Sequence, residues 1–185
     1  MEKKYNFLIP IKNKDLIRLG READGGYVVD KNVVQKTDYL VSFGLGSDWS
    51  FELDYIKLNG KVKITMYDHS VSIYPYLKQI LKYLRRLITF RSKLSDLKER
   101  VSQLKNYLNF LNLSNVNFYP EKIIFPTQNK NDTDIDKVFS RIPNNEKIIL
   151  KIDIEGGEFK IIDEILKNKS KINKLIFEFH WLNIN

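Results

Sequence analysis

The sequence predicts an α/β fold in which parallel strands alternate with helices. Short apolar runs typical of strands alternate with longer segments whose apolar residues follow the helical 3-4 spacing. Glycines collect at the ends of several runs, where a turn or a close backbone approach is expected. Because right-handed crossovers place the loops after parallel strands along one edge, we expect a ligand site at that edge.

The elements can be assigned in chain order. After a turn into a short strand at residues 24–29, the predicted strands are residues 39–43, 62–67, 116–119, 148–154 and 175–179. The predicted helices are residues 49–58, 74–112, 134–139 and 158–166. Ser47 and Asp48 are suitable N-caps for the first helix, and residues 90–92 divide the second segment into two helices.

Spacing predicts which helical residues are buried. In residues 74–112 the expected buried faces comprise Leu77, Ile80, Leu81, Leu84, Leu87 and Ile88, then Leu94, Leu97, Val101, Leu104, Leu108 and Leu111. The apolar residues of the last helix are Phe159, Ile162, Ile165 and Leu166. We treat residues 74–112 as a helical insertion in one domain that covers residues 1–185.

Composition excludes several classes of protein. The hydrophobic fraction of 43% and the aromatic fraction of 12% indicate a folded chain rather than a disordered one. The absence of cysteine excludes disulfides, thiolate metal sites and a cysteine nucleophile. No run approaches the roughly 18 apolar residues that span a bilayer. Since the run from Phe7 to Ile9 is also too short for a signal sequence, we expect a cytoplasmic protein.

The net charge of +8 favours an anionic partner. Residues 74–112 carry nine Lys and Arg against Asp96 and Glu99. This pattern suits a lid or an anionic-substrate surface, and equally the solvated face of an amphipathic helix pair. The chain is also rich in Lys, Asn, Ile and Tyr, as AT-rich genomes encode, so the charge alone identifies no partner.

A glycine turn follows the first predicted buried strand. Gly44 and Gly46 lead into a helix N-terminus, where backbone N–H groups can contact a ligand closely. Trp49 occupies the position of the third glycine of a dinucleotide fingerprint, which disfavours NAD. Asp68 follows about twenty residues later and can accept both ribose hydroxyls, or can cap the next turn. Together these features favour an adenosine-containing ligand.

Carboxylates and both histidines fall at other strand ends. In a strand, Asp153 and Glu155 would point to the same face, where close like charges need a cation, a base role or donors. The alternative is an exposed acidic loop. His69 and His180 are the only histidines and suit proton transfer at that edge. A metal site built from these four residues matches no specific motif, so we expect no metal.

Five blocks together resemble the FkbM-like methyltransferases and a related methyltransferase-domain family. They are Asp24-Gly25-Gly26-Tyr27, residues 42–52, Tyr67-Asp68-His69, the K-I-D-I-E-G-x-E block of residues 151–158, and Glu178-Phe179-His180. The resemblance runs from about Arg18 to Trp181. It implies a Rossmann-like class I methyltransferase sheet that binds S-adenosylmethionine at its carboxyl edge.

The resemblance also implies residue roles. Gly44 and Gly46 would lie under the methionine and adenosine parts, and Asp68 would hold the ribose. The other expected cofactor contacts are Gly25, Gly26, Ser47, Asp48, His69, Asp153 and Glu155. The expected reaction is O-methylation of a sugar or small-molecule hydroxyl, with His180, Asp153 or His69 as general base. The alternatives are an inactive methyltransferase-fold binding module and a nucleic-acid methyltransferase, the latter disfavoured because an N-P-P-Y-type motif is absent.

The sequence departs from the class I pattern in two respects. Ser42 and Asp48 stand where an acidic residue and a third glycine are usual. The sequence also stops soon after the fifth strand, so we expect the last helix and the final β-hairpin to be missing. An exposed strand edge would result, which a homodimer would cover.

Overall fold

The structure is a computed structural model that describes residues 12–22 and 24–180. The strands are β1 Leu16–Leu19, β2 Tyr27–Asp30, β3 Tyr39–Phe43, β4 Lys63–Tyr67, β5 Val116–Tyr119, β6 Lys122–Ile123, β7 Asp132–Thr133, β8 Ile148–Ile152 and β9 Ile172–Phe177. The helices are α1 Lys31–Gln35, α2 Ser50–Leu58, α3 Tyr74–Ile88, α4 Leu94–Leu111, α5 Ile135–Ser140 and α6 Glu158–Lys167, with a 3₁₀ turn at Lys169–Lys171. The run from Phe7 to Ile9 and Trp181 lie outside the described residues.

Five parallel strands form the central sheet in the order β5-β4-β3-β8-β9, which confirms the predicted α/β fold. Every residue of β3 and β8 is buried, as expected for strands that helices cover on both faces. The antiparallel pair β1–β2 and the short parallel pair β6–β7 lie outside this sheet. The sequence did not indicate β1, β6 or β7, which have at most four residues each.

The sheet separates two apolar cores. Val41 and Phe43 of β3 pack on one face with α5 and α6, while Leu40 packs on the other face with α1, α2 and Phe110 of α4. This division follows from the alternation of side chains along a strand. The sheet edge that carries the strand ends therefore lies between two packed layers.

The helical segment of residues 74–112 is divided as predicted, but its predicted burial is wrong. It forms α3 and α4, separated by a turn at Phe90, whose φ is 55°. No residue of α3 is buried, and α4 buries only Tyr107 and Phe110. Spacing specifies which side chains share a helix face, but not whether another surface covers that face. The hairpin contacts the domain through these two aromatic residues, with Trp49 stacked on Phe110.

The buried face of α6 does not coincide with its apolar residues. Only Ile165 of the four apolar residues named above is buried, while Phe159 and Leu166 are exposed. Ile161 completes the buried face, together with Glu158, which pairs with His180, and Glu164, which pairs with the exposed Lys167. Buried charged groups with partners rotate the face away from the one that hydrophobicity alone predicts. Within the part of the chain that the structure describes, no helix has the length and apolar character needed to cross a membrane.

Candidate active site

Four strand ends lie at the same level of the sheet. The last residues of β4 and β8 are register partners of the last residue of β3, and the last residue of β9 pairs with that of β8. The residues that follow these positions are Gly44, Asp68, Asp153 and Glu178. A cavity of about 520 Å³ at this edge is lined by Gly44, Gly46, Asp68, Asp153 and His180, among others.

The glycine turn after β3 needs both of its glycines for different reasons. Gly44 has a φ of 78°, and a Cβ at this position would lie 1.6 Å from the carbonyl oxygen of Asp153. Only glycine allows β3 and β8 to approach so closely. Gly46 has a φ of 57°, but a Cβ there would meet no atom within 4 Å. Gly46 therefore faces open space, where a ligand can contact the backbone.

Asp68 holds the glycine turn. Its Oδ2 accepts the N–H groups of Leu45 (2.9 Å) and Gly46 (2.8 Å), and its Oδ1 accepts the N–H and hydroxyl of Ser70 (2.7 and 2.6 Å). Burial would raise the pKa of Asp68, but the hydrogen bonds from Ser70, Gly46 and Leu45 outweigh it and hold the pKa below 3.8. Since a carboxylate has about four acceptor positions, all are filled. Ribose binding by Asp68 requires the Ser70 hydroxyl to turn away.

The β1–β2 hairpin supports the glycine turn. A Cβ at Gly25 would lie 2.7 Å from Asp48 Oδ2, and one at Gly26 would lie 1.8 Å from the carbonyl oxygen of Arg21. Asp48 also forms an ion pair with Arg21 at 2.9 Å. Gly25 lines the cavity, as do residues 46–48 of the turn, whereas Gly26 is a packing position.

The start of α2 differs slightly from the prediction. The N-cap position is Trp49, whose side chain makes no capping bond. Asp48 Oδ1 accepts a hydrogen bond from the N–H of Ser50 at 3.0 Å, and so provides a partner for one of the backbone N–H groups that have none within the helix. Ser47 lines both this cavity and a second one of about 650 Å³, which reaches Tyr76 and Arg100 of the α3–α4 hairpin.

Asp153, Glu178 and His180 converge beside the glycine turn. His180 Nε2 lies 3.6 Å from Asp153 Oδ1 and 3.7 Å from Glu178 Oε1. The Tyr27 hydroxyl lies 2.7 Å from Asp153 Oδ2 and 2.8 Å from Glu178 Oε2. Burial, followed by these two carboxylates, raises the pKa of Tyr27. Tyr27 therefore stays protonated and donates to one of the carboxylates at a time.

Glu158 holds the other nitrogen of His180. His180 Nδ1 lies 2.8 Å from Oε1 of Glu158, the fully buried first residue of α6. This hydrogen bond is the main reason that the pKa of His180 is raised above 6.5. Burial would raise the pKa of Glu158, but the bond from His180 and hydrogen bonds from the backbone at Glu158 and Gly156 together outweigh it and lower that pKa. When neutral His180 donates through Nδ1, its Nε2 remains as an acceptor facing Asp153 and Glu178.

The expectation that Asp153 and Glu155 share a strand face is wrong. β8 ends at Ile152, so both residues lie in the following loop. Glu155 has a left-handed φ of 47° and an exposed side chain, because the chain turns there before α6. Glu178 and His180 likewise follow β9, which ends at Phe177. The carboxylates of Asp153 and Glu178 lie close together because the loops after β8 and β9 converge, and the alternation of side chains along a strand does not explain it.

The same cluster could hold a metal ion. The ligand atoms of Asp153, Glu178 and His180 all lie within 4.8 Å of one another, which makes them the candidate ligands among the described residues. Sequence reasoning had considered Glu155 and His69 instead of Glu178. The Lys151 ammonium lies 3.9 Å from Asp153 Oδ2 and already balances part of the negative charge.

A buried lysine connects the two halves of the site. Lys151 Nζ donates to the carbonyl oxygen of Gly44 at 3.2 Å and lies 3.7 Å from Glu52 Oε1. Ser42 donates to the same Glu52 oxygen at 2.7 Å. Lys151 also lies 4.9 Å from the centre of the Tyr27 ring. Ser42, at the position where class I sheets usually have an acid, therefore belongs to an internal polar network.

Sequence reasoning missed Tyr27, Glu52, Lys151 and Glu158 as site residues, and left Glu178 outside the site. All five lie inside the quoted sequence blocks, so the blocks were the available signal. The contacts that assign them join residues up to 151 positions apart, which no local pattern shows. His69 is exposed and lines the cavity without joining the Asp153–Glu178–His180 cluster.

Comparison with known families identifies the family of the chain. Residues 49–185 match the methyltransferase FkbM domain, which is about three quarters of the chain. The chain belongs to the FkbM methyltransferase family. The matched range of this FkbM chain includes Asp68, Asp153, Glu178 and His180, while Gly44 and Gly46 precede it. No curated protein and no solved structure gave a significant match to the chain.

Proposed function

We propose that this FkbM chain transfers a methyl group from S-adenosylmethionine to a hydroxyl oxygen of a sugar or other small molecule. The observation that supports the proposal is the shared cavity. The glycine turn, with its open position at Gly46, lines this cavity together with His180 and Asp153. Asp153 follows β8, and β8 ends level with β3, the strand that precedes the glycine turn. A donor and an acceptor held there would be close neighbours.

The residues of the cavity suit S-adenosylmethionine. The backbone at Gly46 leaves room for close contact with the ligand. Asp68, once Ser70 releases one oxygen, offers an acceptor to a ribose hydroxyl. Asp153 and Glu155 add negative charge to a cavity that would receive a cation. S-adenosylmethionine would supply an electrophilic methyl group on a sulfonium.

His180 is the proposed general base. Its Nε2 can accept the proton of an acceptor hydroxyl, while Glu158 at Nδ1 stabilises the imidazolium that forms. Asp153 and Glu178 flank Nε2 and offer acceptors that orient the hydroxyl. The Tyr27 hydroxyl lies within hydrogen-bonding distance of the second oxygen of each carboxylate and donates to one of them at a time. Asp153 and His69 are secondary proposals for the base, since the Tyr27 hydroxyl and the Lys151 ammonium already face Asp153 Oδ2 and His69 is exposed.

Isothermal titration with S-adenosylmethionine and S-adenosylhomocysteine tests the cofactor. We expect micromolar binding, and we expect Gly46→Ala to weaken it at least about tenfold, because the added methyl group occupies the open space. Gly60→Ala is the matched control, since Gly60 lies outside the cavity and a Cβ there meets only one atom, at 4.0 Å. A folded protein that binds neither ligand would instead be a methyltransferase-fold binding module.

A further inference from the structure

The α3–α4 hairpin exposes an apolar stripe. Leu77, Leu81, Leu84 and Ile88 are between 42% and 71% exposed and recur at the spacing of one helix face. The contact between the helices uses other residues, since Tyr76 stacks on Tyr107 and Arg100 lies over the Tyr83 ring. On α4, Leu94, Val101 and Leu108 are also exposed, seven residues apart. So many exposed aliphatic residues on one element indicate an interaction surface.

The hairpin also carries nearly all of the net charge. Nine Lys and Arg against Asp96 and Glu99 give it a net charge of +7, compared with +8 for the whole chain. The remaining residues are therefore almost electrically balanced. A strongly basic element that also exposes aliphatic residues is complementary to a surface that is both anionic and apolar.

The turn between the helices presents an aromatic ring. Phe90 is 97% exposed. Hydrogen bonds from the Phe90 N–H to the Leu87 carbonyl (3.0 Å) and from the Arg91 N–H to the Arg86 carbonyl (2.8 Å) fix the turn. The ring thus projects from an ordered turn with basic side chains on both sides.

We propose that the α3–α4 hairpin binds the surface of an anionic lipid membrane. Its aliphatic stripe and Phe90 enter the boundary between headgroups and acyl chains, and its Lys and Arg contact lipid phosphates. A second copy of the chain is disfavoured as the occupant, because it would bring the hairpin's net charge of +7 against the same charge on its partner. Nucleic acid is disfavoured because phosphate contacts would use the Lys and Arg side chains and leave the aliphatic stripe exposed to water. This inference is independent of the proposed methyl transfer.

Co-sedimentation of the full chain with lipid vesicles tests the proposal. Vesicles of phosphatidylcholine with about 30% phosphatidylglycerol should bind it at least about tenfold more tightly than pure phosphatidylcholine, and about 0.5 M NaCl should weaken that binding. Phe90→Gln and Ile88→Gln keep the charge, and each should weaken binding at least about fivefold. Leu166→Gln, which alters a leucine on α6 that is 58% exposed, should change binding less than about twofold.

A second measurement reports the position of the turn directly. The Phe90→Trp variant should show a blue-shifted emission with anionic vesicles, and brominated lipids should quench it. Three results would overturn the proposal: equal binding to anionic and neutral vesicles, no binding to either vesicle, or equal effects of Phe90→Gln and Leu166→Gln. So would light scattering that shows a dimer which Ile88→Gln dissociates, because the stripe would then be an interface between copies.

Discussion

Replacing Lys151 with methionine tests the polar network beneath the glycine turn. Lys151 is 4% exposed, and its partner Glu52 is fully buried. Methionine fills a similar volume but leaves the Glu52 carboxylate buried, with the Ser42 hydroxyl as its one remaining hydrogen-bond donor among the described residues. Removing one partner of a buried ion pair costs about 3–5 kcal/mol of unfolding free energy. The lost donor to the Gly44 carbonyl is worth about 1 kcal/mol of that total.

The double variant Glu52→Gln/Lys151→Met separates these contributions. The amide oxygen that Glu52→Gln introduces still accepts from Ser42, and no buried charge remains without a partner. We therefore expect the double variant to regain most of the loss, to within about 1–2 kcal/mol of the parent chain.

Urea unfolding followed by circular dichroism measures Lys151→Met, Glu52→Gln and the double variant, with equal m-values as the condition for comparison. Lys160→Met on the exposed surface of α6 is the control for the substitution itself and should cost less than about 0.5 kcal/mol. Two results would refute the reasoning. One is a Lys151→Met variant within about 1 kcal/mol of the parent, and the other is a double variant destabilised by the sum of the two single changes.

Three further predictions concern the strand ends. Gly44→Ala places a Cβ 1.6 Å from the Asp153 carbonyl oxygen and should lower the free energy of unfolding by at least about 3 kcal/mol, which corresponds to roughly 6–12 °C in Tm. A calorimetric Tm shift no larger than that of Gly60→Ala would contradict the close approach. Ionised Asp68 stabilises the fold fully above pH 3.8, the ordinary pKa of the group, and this stability is lost as the pH falls through the lowered pKa of the folded state. Asp68→Asn should therefore be less stable than the parent at neutral pH, and the difference in unfolding free energy should narrow in acid. Urea unfolding across that range checks it, and a difference that does not depend on pH would exclude this role. Glu158→Gln removes the main cause of the raised pKa of His180, so an NMR titration of the imidazole should show a lower pKa, and an unchanged value would mean that the pair does not form in solution.

The strands of the central sheet could be predicted from local patterns. β3, β4 and β5 lie at or within a residue of their predicted bounds, because each is a short run rich in β-branched, aromatic or other apolar residues. Gly44 could be identified as a turn position for the same local reason. The last strand was less exact: β9 begins three residues earlier than predicted and ends at Phe177, so Glu178 and His180 belong to a loop.

The sequence by itself determined the α/β class, the strand ends that carry polar residues and the family, since each depends on residues close together in the chain. Only the tertiary structure decided which of those residues meet. Tyr27 reaches Asp153 and Glu178 across 126 and 151 positions, and Glu158 turns inward to His180. The exposure of Leu77 and Ile88 was decided in the same way, because burial requires a covering surface and helical periodicity does not provide one.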